Sequence, residues 1–172
     1  MSYDPTRGYE TEINGSRILI GPYTYGFDKM RVEAWGEGAN LIIGKYCSIA
    51  RDVKVLLGGN HRVDWFTTFP FGHVWERQMR IPPVSGHPMT RGDVRIGCDV
   101  WVGLGATILS GVEIGHGAVI GAGSIVASDV PAYGVAVGNP ATLKRKRFDD
   151  SLISRLLEIQ WWDLPVDKLR LI

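Results

Sequence analysis

Two cysteines are all that the 172 residues contain, and Cys47 and Cys98 stand far apart with no Cys-x-x-Cys spacing. A disulfide framework or a cysteine zinc site is therefore not expected, and both thiols read as small core residues of a protein kept in a reducing compartment. Charge of one sign is also lacking: 19 Lys and Arg against 18 Asp and Glu leave a net charge of +1. A chain so balanced gives no reason to expect nucleic acid or an anionic membrane as partner. No apolar run approaches the roughly 18 residues of a membrane-spanning helix, and no basic-then-apolar leader opens the sequence. The expectation is one soluble, cytoplasmic domain over residues 1–172, long enough to bury a substantial core.

What the chain does have is a period. From Ile96 one aliphatic position returns every six residues, as Ile96, Val102, Ile108, Ile114, Ile120 and Val126, and Gly follows it in four of the six cases. A second small or aliphatic residue recurs four places later, as Val100, Ala106, Val112, Ala118, Ser124 and Val130. Two inward positions in every six suit a triangular parallel β-helix, in which each unit is one short flat side and three units make a turn. The glycines are expected at tight corners whose backbone conformation side chains disfavour. Ile43-Gly44, Ile49 and Val55 keep the same register, and Ile20-Gly21 reads as a degenerate first turn, although residues 18–42 follow the repeat poorly. An all-β sandwich is the alternative, but Ile108-Leu109-Ser110-Gly111-Val112-Glu113 lacks its two-residue alternation. Coils are thus expected over 18–57 and 94–131. Beyond Pro131 come a Gly138-Asn139-Pro140 turn and a basic run, Lys144-Arg145-Lys146-Arg147. A helix over 149–160 should follow, capped by Asp149 or Asp150 and apolar along Leu152, Ile153, Leu156, Leu157 and Ile159.

The register breaks between Val55 and Ile96, and residues 58–93 form an inserted flap. Long insertions in a regular scaffold tend to sit at binding faces. This one holds His61, His73 and His87 together with Trp65, Phe66, Phe69, Phe71 and Trp75. Its aromatics suit either a wall of a pocket or a plug over the flap's own underside. Tyr23, Tyr25, Trp65, Phe69 and Trp75 are candidates to hold an acceptor, by stacking on a sugar ring or covering a hydrophobic drug. His73 and His87 read as flap or surface residues.

The string Gly59-Asn60-His61-Arg62-Val63-Asp64-Trp65 follows the block Ile43 to Ala50 and precedes Asp99-Val100-Trp101-Val102-Gly103 and Val137-Gly138-Asn139-Pro140-Ala141. In that order, over about residues 18 to 165, these strings resemble the hexapeptide-repeat acetyltransferases of the xenobiotic (chloramphenicol and streptogramin) branch. The resemblance implies a left-handed parallel β-helix, against the general right-handed preference for parallel crossovers. It also implies a homotrimer with acetyl-CoA as cosubstrate in the cleft between neighbouring helices, no metal, and a small-molecule or sugar hydroxyl as acceptor. By position it gives His61 the role of general base. It puts Trp101, Gly103 and Leu104 at the thioester end, Ala122, Ala127 and Ser128 along the pantetheine arm, and Lys144 and Arg145 on the phosphates.

The chemistry is consistent with those residue types. An imidazole has an ordinary pKa of about 6.5, so it is neutral and basic near pH 7. It needs a partner to hold its tautomer, and either a carboxylate such as Asp64 or a backbone carbonyl would serve. Backbone N–H groups near Gly103 are candidates to meet the developing oxyanion. With no Cys or Ser in a nucleophile setting beside His61, direct attack is expected over an acyl-enzyme. Two alternatives remain. A γ-type zinc carbonic anhydrase is suggested by His116-Gly117-Ala118, although position 121 is Gly where a second histidine is expected. A non-catalytic solenoid serving assembly would give no role to the Asn-His string.

Overall fold

The computed structural model describes residues 4–169. A hairpin of β1 (Tyr9–Ile13) and β2 (Ser16–Ile20) opens the chain, turned by Asn14 and Gly15, both left-handed. That Asn-Gly pair is a strong hairpin signal, because it supplies the two positive φ angles of a type I′ turn. Strand β2 begins the first coil, which continues through a bridge at Tyr25 and β3 (Arg31–Glu33). The second coil is β4 (Leu41–Ile43), β5 (Ser48–Ile49) and β6 (Lys54–Leu56). After the flap, which carries the short helix α1 (Glu76–Met79), β7 (Val94–Ile96), β8 (Trp101–Val102) and β9 (Thr107–Ile108) make the third coil. The fourth is β10 (Glu113–Ile114), β11 (Val119–Ile120) and β12 (Ile125–Val126). Strand β13 (Gly134–Gly138) and its antiparallel partner β14 (Ala141–Lys146) close the stack, followed by α2 (Asp150–Ile159) and α3 (Val166–Leu169).

The strands stack into three sheets, the sides of a prism. The first side runs β1-β2-β4-β7-β10, the second β5-β8-β11-β13-β14, the third β3-β6-β9-β12. Strands of two or three residues are too short to hold on their own. They persist because each aliphatic rests on its counterpart one coil away: Ile20 pairs with Ile43, Ile43 with Ile96, and Ile96 with Ile114. All of these are buried, and so are the second-position residues Val100, Ala106, Val112, Ala118, Ser124 and Val130. No helix among the described residues is long and apolar enough to cross a membrane.

Three details refine the sequence reading. The residues after the aliphatics, Gly44 and Gly97, are not in a left-handed conformation; the left-handed residue comes two places later, and Tyr46 and Asp99 tolerate it there. What Gly44 and Gly97 supply is room for the next coil. The poorly patterned stretch 18–42 is nonetheless a complete coil, its register masked by a 3-10 turn at Phe27–Lys29 and a detour through residues 34–40. Coiling also continues past Pro131: Val130 bridges to Ile114, and β13 runs parallel to β11 with Ala136 opposite Ile120. Lys144, Arg145 and Lys146 of the basic run lie on β14, an edge strand, Arg147 follows it, and the helix begins only after that.

Both thiols are free. Cys47 Sγ donates to Gly97 O at 3.0 Å, and burial pushes its thiol up to about 12. Helix α2 is capped by Asp149, whose side chain accepts from Leu152 N at 2.8 Å. The segment after it lies back on the prism, where Trp162 stacks on His116 with ring centroids 4.5 Å apart and Lys45 pairs with Asp163 at 2.7 Å. His116 Nδ1 accepts from Cys98 N at 2.9 Å, so the ring must be neutral at that nitrogen. Burial lowers its pKa. The unfolded chain therefore takes up this proton first, and stability is lost as pH falls through about 6.5. His116→Asn, which keeps an acceptor and cannot titrate, should show a shallower fall of Tm between neutral pH and pH 5 than the native chain. Parallel curves would exclude His116 as a source of the acid sensitivity.

Candidate active site

The flap is clamped where it leaves the prism, at the corner between the third and first sides. Glu37 accepts from Gly59 N at 2.6 Å and from Trp35 N at 3.1 Å. Thr90 Oγ1 donates to Leu57 O at 2.5 Å and accepts from Gly92 N. Asn60 joins the two legs: its N–H donates to Met89 O, Met89 N–H returns the bond, and Asn60 Nδ2 donates to Met89 O and to Ser110 Oγ. The asparagine of the Asn-His string thus fixes the backbone immediately before His61.

His61 itself is exposed, and its Nδ1 lies 2.7 Å from Thr68 O. A carbonyl can only accept, so Nδ1 carries the proton and Nε2 of the neutral ring keeps its lone pair. The backbone carbonyl, not a carboxylate, therefore orients the ring. Asp64 is engaged elsewhere, in a two-point pair with Arg62 that holds its carboxyl down at about 2. The Arg62 guanidinium in turn lies 5.4 Å from the Trp65 ring. Asn60, His61, Arg62, Asp64, Met89 and Arg91 border a cleft of about 460 Å³. His87 packs perpendicular to His61 with centroids 4.8 Å apart, and His73 lies beyond it at 4.9 Å. Nothing in the sequence marked Thr68, since any residue offers a carbonyl, and nothing marked the three histidines as neighbours, because they are far apart along the chain.

The candidate acceptor residues divide into separate groups. Phe69 packs on Phe71 and Trp75 within the flap, and Trp65 neighbours His87 at 6.4 Å. Tyr23 instead stacks on Tyr46, which reaches Trp161, and Tyr25 borders a distinct apolar cavity of about 650 Å³ with Tyr9 and Phe27. Within the flap, Phe69 is part of an internal aromatic cluster, while Phe66 is 97% exposed.

Most of the candidate cofactor residues belong to other parts of the prism than His61. Ser48, Trp101, Val119, Val135 and Arg145 are successive partners across the second side. They border a cleft of about 430 Å³. Gly103, Leu104 and Ala122 meet at the corner between the second and third sides, where a Cβ on Gly103 would stand 2.6 Å from Ala122 N. Ala127 and Ser128 are at the flap's corner, one coil beyond Ser110. Gly103 N–H donates to Ile120 O at 2.8 Å and so is occupied, which removes it as an oxyanion donor. In the basic run Arg147 is engaged with Asp99 and Gly117 O, and Lys146 with Asp150; Lys144 and Arg145 remain exposed.

Residues 93–128 match the family model for the bacterial transferase hexapeptide (six repeats). The chain is 38% identical over 180 residues to a chloramphenicol acetyltransferase of Agrobacterium fabrum (strain C58 / ATCC 33970), covering 96% of this chain and 86% of that protein. It is 44% identical over 172 residues to a chloramphenicol acetyltransferase of Escherichia coli, covering 92% and 81%. The chain belongs to the hexapeptide-repeat acetyltransferases of the xenobiotic branch. Among solved structures, the polySia-specific acetyltransferase NeuO superposes with a TM-score of 0.56 at 30% identity, covering 84% of this chain and 64% of NeuO, just under two thirds of its length.

The prism is accordingly the left-handed parallel β-helix of these acetyltransferases, the chain is an acyl-transferring enzyme, and acetyl-CoA is its cosubstrate. The non-catalytic reading falls with that membership. So does the zinc reading, and His116 has a different occupation, with Nδ1 bonded to Cys98 N and its face covered by Trp162. Among the described residues no group of three or more His, Cys, Asp and Glu side chains is placed to hold a metal.

Proposed function

We propose that this acetyltransferase passes the acetyl group of acetyl-CoA to a hydroxyl of a small molecule or sugar, with His61 as general base. The observation that carries this reading is the bond from His61 Nδ1 to Thr68 O, which leaves the Nε2 lone pair free on a ring that borders the flap cleft. The acceptor oxygen attacks the thioester carbonyl as Nε2 takes its proton, giving a tetrahedral oxyanion. Collapse breaks the C–S bond, and the imidazolium returns the proton to the departing CoA sulfur, so the products are an acetyl ester and CoA thiol. In this reading Trp101, Gly103 and Leu104 meet the thioester end, Ala122, Ala127 and Ser128 the pantetheine arm, and Lys144 and Arg145 the phosphates. Trp65, Phe69 and Trp75 of the flap supply the acceptor surface, and Tyr23 and Tyr25, which lie in separate groups, take no part in it within one chain. A cleft with Trp101 and Arg145 on one sheet face supports a long ligand with an anionic end.

The enzyme acts as a homotrimer in the cytoplasm, with each site shared between two copies. Support comes from the separation within one chain: His61 stands at one corner of the prism, while Trp101 and Leu104 belong to another. Trp101 and Leu104 are 56% and 47% exposed, and Val63 on the flap is 85% exposed, so apolar surface waits on both halves for a neighbour. Two free thiols suit a reducing compartment.

Subunit mixing tests the arrangement. One inactive chain would carry His61→Ala and the other Trp101→Ala with Arg145→Glu. Refolded together in equal amounts, they should regain about a quarter of native CoA release, because random threefold assembly restores about one site in four. A mixture as inactive as its parents would sink the shared site. The acceptor class follows from a panel of antibiotic and sugar hydroxyls scored by thiol release; a CoA-release rate that no acceptor raises would overturn the O-acetyltransferase reading.

A further inference from the structure

His87 is the one histidine whose two ring nitrogens are both cut off from solvent and without a hydrogen-bond partner among the described residues. Burying such a ring without partners is unfavourable, so it persists only where its position does something for the surroundings. Its surroundings are two other imidazoles. On one side His61 stands perpendicular at 4.8 Å, and on the other His73 lies tilted at 4.9 Å. The outer two are each tied to the backbone, His61 Nδ1 to Thr68 O at 2.7 Å and His73 Nε2 to Val84 O at 3.0 Å. Three rings from distant points of the flap thus form a row with fixed ends and His87 as the filler.

Without the filler, the row would not hold. A single hydrogen bond at Nδ1 leaves the His61 ring free to swing about that contact, carrying Nε2 with it. His61 is exposed, and among the described residues His87 is the one aromatic ring in contact with it. We infer that His87 is a positioning residue for His61: its half-buried ring, wedged against His73, holds the His61 plane and with it the aim of Nε2. This rests on the reading of His61 as base. Catalysis is sensitive to such aim, since a displacement of about 1 Å at a reacting group can cost about a hundredfold in rate.

Three variants test the inference: His87→Ala, His87→Phe and, alongside them, His61→Ala. Loss of the ring in His87→Ala should lower kcat ten- to a hundredfold with KM for acetyl-CoA unchanged. His87→Phe, which restores an aromatic filler without nitrogens, should recover kcat to within a few-fold of native. A native kcat in folded His87→Ala overturns the inference, and so does an equal kcat loss in the alanine and phenylalanine variants, which would assign the role to the nitrogens. If His87→Ala fails to fold, His87→Phe decides alone: near-native kcat supports ring packing and a large loss refutes it. An active His61→Ala would instead refute the general-base reading itself, whatever the His87 variants do.

Discussion

His61→Ala should lower kcat by about a hundredfold to ten-thousandfold, the range that a positioned general base supplies. The fold should survive it. The side chain is exposed, lies outside the aliphatic core, and makes one hydrogen bond, to Thr68 O. Losing one such bond costs on the order of 1 kcal/mol. Circular dichroism, Tm and oligomeric state should therefore stay near native while CoA release, followed with a thiol reagent, nearly stops. Asp64→Asn provides the contrasting arm. Where a buried carboxylate orients the catalytic histidine, the amide costs about ten-thousandfold in kcat. Here the Asp64 carboxylate is engaged by Arg62 and a carbonyl holds the ring, so Asp64→Asn should change kcat no more than a few-fold. Near-native turnover in His61→Ala would remove the base assignment, and a thousandfold loss in Asp64→Asn would mean that the ring is held by the carboxylate during turnover.

How much of this was legible in the sequence depended on whether a feature repeats. Ile96 through Val126 announce themselves because each side of the prism buries the same two positions, so one physical demand is written six times over. The first coil obeys the same demand at Ile18 and Ile20, yet its corners carry the 3-10 turn at Phe27–Lys29 and extra residues that shift the period out of phase. The site is a different case. His61 stood out only through its neighbours in the chain, and what aims it, Thr68 O and the His87 ring, is brought to it by the folding of a loop with no period. Gly103 is the opposite case: the sequence points to N–H donors around it, and its own N–H is taken up by the coil ladder.

Gly97→Ala should be among the most damaging single substitutions in the prism. Alanine is ordinarily the mildest replacement for glycine, and where the backbone is compatible it stabilises by restricting the unfolded chain. The backbone at Gly97 is compatible, since its φ is not left-handed. Space decides the outcome instead. A Cβ there would stand 2.6 Å from His116 N and 2.9 Å from His116 Cα, and the atoms it meets are backbone that cannot swing aside. The same contact recurs up the corner, with a Cβ on Gly21 at 2.6 Å from Gly44 C and one on Gly44 at 2.7 Å from Gly97 C. Relief would require prising two coils apart at the point where Gly97 N donates to Ile114 O at 2.8 Å and Cys98 N to His116 Nδ1 at 2.9 Å. Overpacking of rigid interiors costs about 1–3 kcal/mol and at times more, and a backbone clash belongs at the top of that range. Gly105→Ala is the control: its φ of +66 imposes left-handed strain, but nothing lies within 4 Å of the added atom. Its cost should be about 1–2 kcal/mol, that of one L residue in the left-handed region. Urea titration of both variants distinguishes the two causes. A midpoint for Gly97→Ala equal to or above that of Gly105→Ala would show that the corner is governed by backbone conformation, and that the close stacking of the coils has room to give.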